Sequence, residues 1–308
     1  MEQAQWADRG QLRQLDTPEA SAQTRCVAVS RLGSTQVSAA AFSVWVQLRG
    51  TSWVEAKEGT FRLRRGDWIA LEKDSRPLVQ AGRHGVSVGL ALTADALRAV
   101  NQFAECNLYA GRGHVSRRDA RIVLRLWHEA ARRWSASEPS APIDIAALRP
   151  LLLHLAGLQR ELAARVQRCP GRSRSRKRQV FGRLQRAHLY LQGNCDRVVR
   201  LSELAELTSF STWYLSKTFH GLYDESPQTA AARMRLERAA SLLRSSPMMI
   251  GEVAAACGFD NSCSFARAFR ARFGTSATRF RQAALDGSPT DSAKPVGLGR
   301  KAVAALGG

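Results

Sequence analysis

One face of a predicted helix around residue 215 carries side chains that can hydrogen-bond to the edges of nucleic-acid bases. Residues spaced i, i+3, i+4 and i+7 share one face of a helix. The residues with this spacing are Trp213, Ser216, Lys217 and His220. A lysine can bind guanine acceptors, a serine can bind several base edges, and an apolar group can contact the thymine methyl. The pattern predicts a helix that reads the major groove of a duplex.

A second predicted helix, around residue 267, offers a similar face. Phenylalanines spaced four residues apart define its buried side. The outward positions that remain are Cys263, Arg267 and Arg270. Arginine is the commonest partner of guanine in the major groove. A single surface cation is usually only solvated, but Lys217 and Arg267 hold equivalent positions in the two helices, which favours a shared role.

The two helices belong to two copies of one sequence unit. The copies occupy 201–219 and 250–269, and Phe210 in the first corresponds to Phe259 in the second. After one extra residue in the second copy, the correspondence continues along the helix. Such a duplication indicates that both copies serve one purpose.

Each copy meets the physical requirements of a helix-turn-helix. A short first helix ends at a tight turn, which Gly258 supplies in the second copy and Ser209 in the first. Ser211 then caps the next helix of the first copy, and Asp260 or Asn261 caps that of the second.

A further predicted helix connects the two copies. Ser226 and Pro227 are typical of a helix start, and good helix formers continue to Leu243. We expect this helix to be a rigid spacer that fixes the separation of the two reading helices.

Residues 25–92 have a different character. Polar and apolar side chains alternate there in short runs interrupted by glycine, which predicts β-strands. The clearest runs are 42–48, 53–56 and 68–71. Several short strands at this spacing favour a sandwich or a small barrel.

Two helices are predicted after the strands, one from Ser116 and one following Pro150. The second has an apolar seam with nearly heptad spacing. The seam residues are Leu151, Leu155, Leu158, Leu162 and Val166. The seam can pack against the strands or against a second copy of the chain, and the sequence leaves both interpretations open.

Two segments have the composition of solvated chain. Residues 169–178 combine proline, glycine and serine with a dense run of cations, which predicts a linker and a domain boundary. Residues 286–308 are rich in small residues without periodicity and are expected to be disordered.

The whole chain has 308 residues, enough for about two domains. Its 46 lysines and arginines against 26 acids give a formal charge of +20, which points to nucleic acid or an anionic membrane as partner. The start does not read as a secretory signal, and no apolar stretch approaches the ~20 residues that span a bilayer. We therefore expect a cytoplasmic protein with no membrane contact. The six cysteines suggest neither a disulfide framework nor a zinc module.

The order of helix-turn-helix, connecting helix and second helix-turn-helix resembles the DNA-binding domain of the AraC/XylS family of bacterial transcription regulators. The likeness covers about residues 178–283 and is most specific in the run GFDNSCSFARAFRARFGTS that begins at Gly258. Departures from the family pattern are Asp224, Ala277 and Phe280, and none of them falls at an expected base-reading position.

The resemblance also implies site residues and a role for the first half. Family positions that touch DNA fall here on Trp213, Ser216, Lys217, Cys263, Ser264 and Arg267. With neighbouring positions, the predicted DNA-binding set is Thr212, Trp213, Ser216, Lys217, His220, Asn261, Cys263, Ser264, Arg267 and Arg270. The strand-rich half would correspond to the family's cupin-like sensing and dimerising domain.

Catalysis is the weaker interpretation. The six histidines form no HxH pair, and no dinucleotide fingerprint, phosphate loop or nucleophile triad stands out. We therefore predict a non-enzyme with no catalytic residue, metal site or cofactor. The alternatives that stay open are a cupin-type metalloenzyme fused to a DNA-binding domain, and a non-specific basic architectural or membrane-surface protein.

The sequence thus predicts an α+β chain that regulates transcription through sequence-specific DNA binding and responds to an effector. The predicted parts are a cupin-like β-barrel with a helical dimerisation segment at 1–168, a basic linker at 169–178, an all-α domain with two helix-turn-helix motifs at 179–285, and a disordered tail at 286–308. The expected partners are double-stranded promoter DNA, a small-molecule effector, a second copy in a homodimer and, if the protein is an activator, RNA polymerase.

Overall fold

The computed structural model describes residues 5–15, 24–38, 40–103, 107–135 and 145–286. The chain divides into two compact units, Met1–Leu189 and Tyr190–Gly308. The first unit combines strands and helices and the second is helical, so the predicted α+β class is confirmed. The tail predicted to be disordered lies outside the described residues, apart from Asp286.

Short strands make up most of the first unit. They are β1 (Gln5–Ala7), β2 (Leu12–Leu15), β3 (Arg25–Ser30), β4 (Ser34–Val37), β5 (Phe42–Arg49), β6 (Thr51–Ala56), β7 (Gly59–Arg64), β8 (Asp67–Glu72), β9 (Leu78–Ala81), β10 (Val86–Leu92) and β11 (Gly111–His114). The strands predicted at 42–48, 53–56 and 68–71 are confirmed as β5, β6 and β8. The sequence did not predict β1, β2 or β11.

The strands form two hydrogen-bonded sheets. One has six strands in the order β1-β3-β10-β5-β8-β11, and the other has five in the order β2-β4-β9-β6-β7. Alternation along β6 and β7 turns Val54, Phe61 and Leu63 inward, where they share a core with Trp45 and Ile69 of the larger sheet. Over the described strands neither sheet closes on itself, so the predicted closed barrel is replaced by two open sheets around one core.

The helices of the first unit follow the strands. They are α1 (Ala94–Phe103), α2 (Arg117–Ser135), α3 (Ile145–Leu158), α4 (Arg160–Arg168) and α5 (Arg174–Gly193), the last of which ends in the second unit. Helix α2 packs on the larger sheet, where the buried Trp127 indole donates a 2.8 Å hydrogen bond to the carbonyl oxygen of Gly89 in β10.

The helix predicted to follow Pro150 is two helices, and the first of them begins earlier. Pro150 lies inside α3, where a proline removes only one backbone donor and the helix continues. The break falls at Gln159, whose buried side-chain amide accepts from the Tyr109 N–H at 2.9 Å and donates to the Tyr109 carbonyl at 3.0 Å. This pairing holds the break against the 107–110 segment.

The apolar seam lies within this chain. Leu151, Leu155, Leu162 and Val166 are all buried. This observation favours the packing interpretation of the seam over a contact between two subunits.

The predicted linker 169–178 is only partly a loop. Helix α5 begins at Arg174, because the Ser173 hydroxyl accepts the backbone N–H of Arg176 at 3.1 Å and lysine and arginine are good helix formers. The division between the two units falls after Leu189, later than the predicted boundary. The role of 169–178 as a linker stays a prediction.

The second unit is built from short helices around a phenylalanine-rich core. Its helices after α5 are α6 (Leu201–Thr208), α7 (Thr212–Tyr223), α8 (Pro227–Ser245), α9 (Ile250–Ala256), α10 (Ser262–Phe273) and α11 (Ala277–Leu285). Along the inward side of α10, Phe265 and Phe269 are buried and pack with Phe280 of α11 and Leu236 of α8. The predicted connecting helix is confirmed as α8.

Candidate nucleic-acid interface

The first helix-turn-helix consists of α6 and α7. Its turn passes through Ser209, which takes the left-handed conformation at φ 53° and donates its N–H to Glu206. The hydroxyl of Ser211 then accepts the N–H of Tyr214 at 3.2 Å, which fixes the start of α7. The predicted turn and cap are both confirmed.

The second helix-turn-helix consists of α9 and α10. Gly258 supplies the left-handed turn at φ 69°, as expected. Of the two candidate caps, Asn261 is the residue used, because its side-chain oxygen accepts the N–H of Ser264 at 2.8 Å. Asn261 is exposed, but this hydrogen bond already occupies its acceptor oxygen.

The outward face of α7 presents the predicted residues to solvent. Trp213 is 68% exposed although it is a large apolar side chain. The Lys217 ammonium lies 4.9 Å from the centroid of its ring, a cation–π arrangement that places charge and ring side by side. Thr212 and His220 are also exposed, and Ser216 is half-buried. The opposite side of α7 is buried through Leu215, Phe219 and Leu222.

The outward face of α10 has the same organisation. Cys263, Arg267 and Arg270 are exposed, and Ser264 is half-buried. The structure therefore brings each group of predicted residues together on the free face of its helix. Contact of these residues with DNA stays a prediction.

A buried arginine that the sequence interpretation missed supports the second turn. Arg235 in α8 is only 5% exposed, and its Nε donates a 2.7 Å hydrogen bond to the carbonyl oxygen of Cys257. Its Nη2 also donates to the carbonyl of Gly258, and its guanidinium lies 4.3 Å from the centroid of the Phe259 ring. Burial lowers the pKa of Arg235, yet the hydrogen bonds satisfy the buried charge. A signal existed, since Arg235 precedes the buried Ala239 by one helical turn.

Gly258 is also in close contact with the start of the unit. A Cβ atom at this position would lie 2.7 Å from the Cα of Arg197 and 2.8 Å from the carbonyl oxygen of Asp196. The turn of the second helix-turn-helix therefore packs directly against the backbone that leads into the first.

Equivalent glutamates begin the first helix of each copy, a feature that comparison of the copies could have found. Glu203 accepts the N–H of Arg200 at 2.9 Å, and Glu252 accepts the N–H of Met249 at 2.7 Å. Glu203 also binds the Arg197 guanidinium at 2.7 Å. These hydrogen bonds, above all that from Arg197, lower the pKa of Glu203 to about 2.

A chain of ion pairs links both recognition helices to α8. Glu225, just after α7, lies 2.6 Å from Arg233 of α8, and Arg233 also pairs with Glu237 at 3.2 Å. Glu237 in turn lies 3.2 Å from Arg272 of α10. Burial and these two carboxylates act in opposite directions on the pKa of Arg233, and the net effect is to raise it.

The described residues contain no group of three or more histidine, cysteine or acidic side chains that could hold a metal ion. No helix in the described part of the chain is long and apolar enough to cross a membrane. What the site offers is two rigidly mounted helices that present hydrogen-bond donors and positive charge, which is suited to binding duplex DNA.

Comparisons with known proteins agree with this geometry. The family described as a helix-turn-helix domain matches residues 204–283. HTH-type transcriptional regulator GbdR of Pseudomonas aeruginosa is 29% identical over 183 residues, which are 54% of this chain and 48% of GbdR. HTH-type transcriptional regulator CdhR of the same species is 34% identical over 79 residues, which are 26% of this chain and 24% of CdhR. The chain spans about half the length, or less, of these curated relatives.

Among solved structures, a probable AraC family transcriptional regulator from Rhodopseudomonas palustris is 31% identical and aligns with a TM-score of 0.31, covering 33% of this chain and 96% of that one. The matched residues contain the duplicated unit together with the helix that joins its copies. The C-terminal part of this chain is an AraC-type helix-turn-helix domain.

Proposed function

We propose that this protein is a sequence-specific DNA-binding regulator of transcription. The observation that carries the proposal is the pair of capped helices α7 and α10, which turn their predicted base-reading residues to solvent while their other faces are buried. Exposing Trp213 and a row of cations on one helix face is unfavourable for packing and solubility alone, and is accounted for by a polyanionic partner that covers them.

The test is selection of bound duplexes from a randomised library with the full chain, followed by titration in the presence of competitor DNA. We expect a defined motif whose binding survives excess competitor. A protein with Lys217→Ala and Arg267→Ala together should lose the motif. Binding that competitor abolishes completely, with no enriched sequence, would support the non-specific architectural alternative instead.

The first unit we assign to sensing and dimerisation, the role of the cupin-like domain in the family that the chain resembles. Two sheets around one apolar core, with helices on the larger sheet, support a stable carrier for such a role. Because the seam of α3 and α4 is buried within the chain, a homodimer would use another surface. Sedimentation at increasing concentration, with and without DNA, tests this assignment.

RNA polymerase is the further partner if the protein activates. Transcription from a promoter that carries the selected motif, reconstituted with purified polymerase, distinguishes activation from repression. The relatives GbdR and CdhR are named as regulators, which supports a role other than catalysis for this chain.

A further inference from the structure

A cavity of about 320 Å³ lies on the first unit, away from the helix-turn-helix domain in sequence. It is formed by the turn between β7 and β8, the end of β11 and the first turns of α2. Its charged lining consists of Arg65, Arg117, Arg121 and His114. The function proposed above makes no use of this cavity.

The cationic lining is not balanced by acids. None of the described residues that line the cavity is an aspartate or glutamate. Within the described part of the chain, Arg65, Arg117 and Arg121 have no carboxylate within ion-pair distance, whereas Arg31 and Arg186 are paired with Asp8 and Glu58. Guanidinium groups that converge without a counterion attract an anion from solution.

The histidine at the cavity is held in place from behind. His114 Nδ1 lies 3.0 Å from the Asp67 carboxylate, which orients the ring and offsets part of any charge on it. A Cβ atom at Gly66 would lie 2.5 Å from Cε1 of His114, so the absence of a side chain at this turn leaves the ring its place.

The cavity also has an apolar wall. Leu48, Val115 and Leu124 contribute to the lining, and Leu124 leaves 42% of its surface exposed. A ligand with an apolar part would cover this surface, which a bare inorganic anion would leave in water. The cavity volume falls at the lower end of the ~300–1,000 Å³ range of small-molecule sites.

We propose that this cavity binds a small carboxylate with a short apolar body, such as a monocyclic aromatic acid or a medium-chain fatty acid. Arginine forks match the two oxygens of a carboxylate, and the N-terminal end of α2 adds favourable potential for negative charge. A phosphate ester shares the anionic chemistry, so the test must separate the two head groups.

This inference deepens the sensing role proposed for the first unit, and that role is the only part of the proposed function on which it rests. Ligand binding is measured without DNA. A failure of the carboxylate to bind and a failure of the chain to recognise a motif are therefore separate results.

The experiment is calorimetric titration of the full chain with benzoate, hexanoate, acetate and inorganic phosphate. We expect saturable one-to-one binding of benzoate or hexanoate that is at least about tenfold tighter than binding of acetate or phosphate. Arg121→Ala should weaken it by about tenfold or more, because a charge-assisted hydrogen bond is lost. Arg125→Ala is the matched control, since Arg125 is an exposed arginine one turn further along α2 that does not line the cavity, and it should bind as the parent does.

Three results would overturn the proposal. One is the absence of saturable binding of either carboxylate to a chain that is folded by circular dichroism. Another is an equal effect of Arg121→Ala and Arg125→Ala, which would mean general attraction by a basic helix. The third is phosphate bound as tightly as hexanoate, or a loss of DNA affinity on Arg121→Ala with no carboxylate bound, which would make the cavity a bare phosphate site.

Discussion

The Nε of Arg235 donates a 2.7 Å hydrogen bond to the carbonyl oxygen of Cys257, which joins the helix between the two helix-turn-helix units to the turn of the second. Carbonyl groups at the end of a short helix have no partner within that helix. A buried side chain from α8 supplies it here, so α8 is both a spacer and a support for the second recognition helix.

Replacing Arg235 with methionine should therefore destabilise the second unit. The substitution keeps much of the volume but leaves two buried carbonyl groups without donors, for a loss of about 2–4 kcal/mol. Urea unfolding followed by circular dichroism measures the loss, and affinity for the selected motif should fall with it. Arg238→Met is the control, because Arg238 is exposed on the same helix. Equal stabilities of the two variants would contradict the supporting role.

Gly258→Ala should be far more damaging than Gly274→Ala. Both glycines have positive φ, at 69° and 71°, so an alanine is strained at either position by about 1 kcal/mol. Only at Gly258 would the added Cβ also meet the backbone of Arg197 at 2.7 Å, while Gly274 has open space. Thermal melting of the two variants compares strain with strain plus collision. Similar melting temperatures would mean that the contact at Gly258 relaxes freely.

The helix-turn-helix pairs were predictable because each depends on local signals that occur twice. Ser211, Asn261 and Gly258 act within a few residues of their own position, so sequence alone indicated their roles. Arg235 was not predicted, because a charged residue in a helix is usually exposed and only the fold reveals the carbonyl groups it meets.

Strands β1 and β2 escaped prediction for a different reason. Each is short and pairs in parallel with a strand distant in sequence, β1 with β3 and β2 with β4. Their stability comes from the partner strand and not from a periodic pattern of their own. The ion-pair chain through Arg233 and Arg272 is likewise a product of tertiary structure.

Stability should depend on Glu203 in acid. The folded-state pKa of this carboxyl is lowered from 4.5 to about 2, so its contribution is present above about pH 4.5 and is lost as the pH falls toward 2. Glu203→Gln should lower the free energy of unfolding by about 1 kcal/mol at pH 7, a modest value because solvent screens this half-buried pair. Glu206→Gln, on the exposed side of α6, is the control. A deficit that stayed constant from pH 7 to pH 2 would contradict this ionic role.

Arg267 should contribute sequence preference as well as affinity. Arg267→Ala is expected to lose about 1–3 kcal/mol at the selected motif and to relax preference at one or two base pairs, if the side chain binds a base edge. Arg174 is an exposed cation at the start of α5, and Arg174→Ala should weaken all sequences alike and reduce the salt dependence of binding. Competitive binding to a panel of motif variants measures both. A uniform loss on Arg267→Ala would assign that residue to phosphate contact.

The spacing of the bound motif should be fixed by α8. Ion pairs tie α8 to the end of α7 through Glu225 and to α10 through Arg272, and buried side chains line its inner face. The two recognition helices should thus enter successive major-groove segments on one side of the duplex, about 10 base pairs apart. Inserting about five base pairs between the two conserved blocks turns one of them to the opposite side, where the second helix cannot reach it without bending the DNA. Affinity should then fall to that of a single helix-turn-helix. Insertion of a full turn should not restore it, because α8 cannot lengthen by the ~34 Å that the turn adds. Equal binding after the five-base-pair insertion would show that one unit alone reads DNA, and Arg267→Ala or Lys217→Ala in the same assay would identify which.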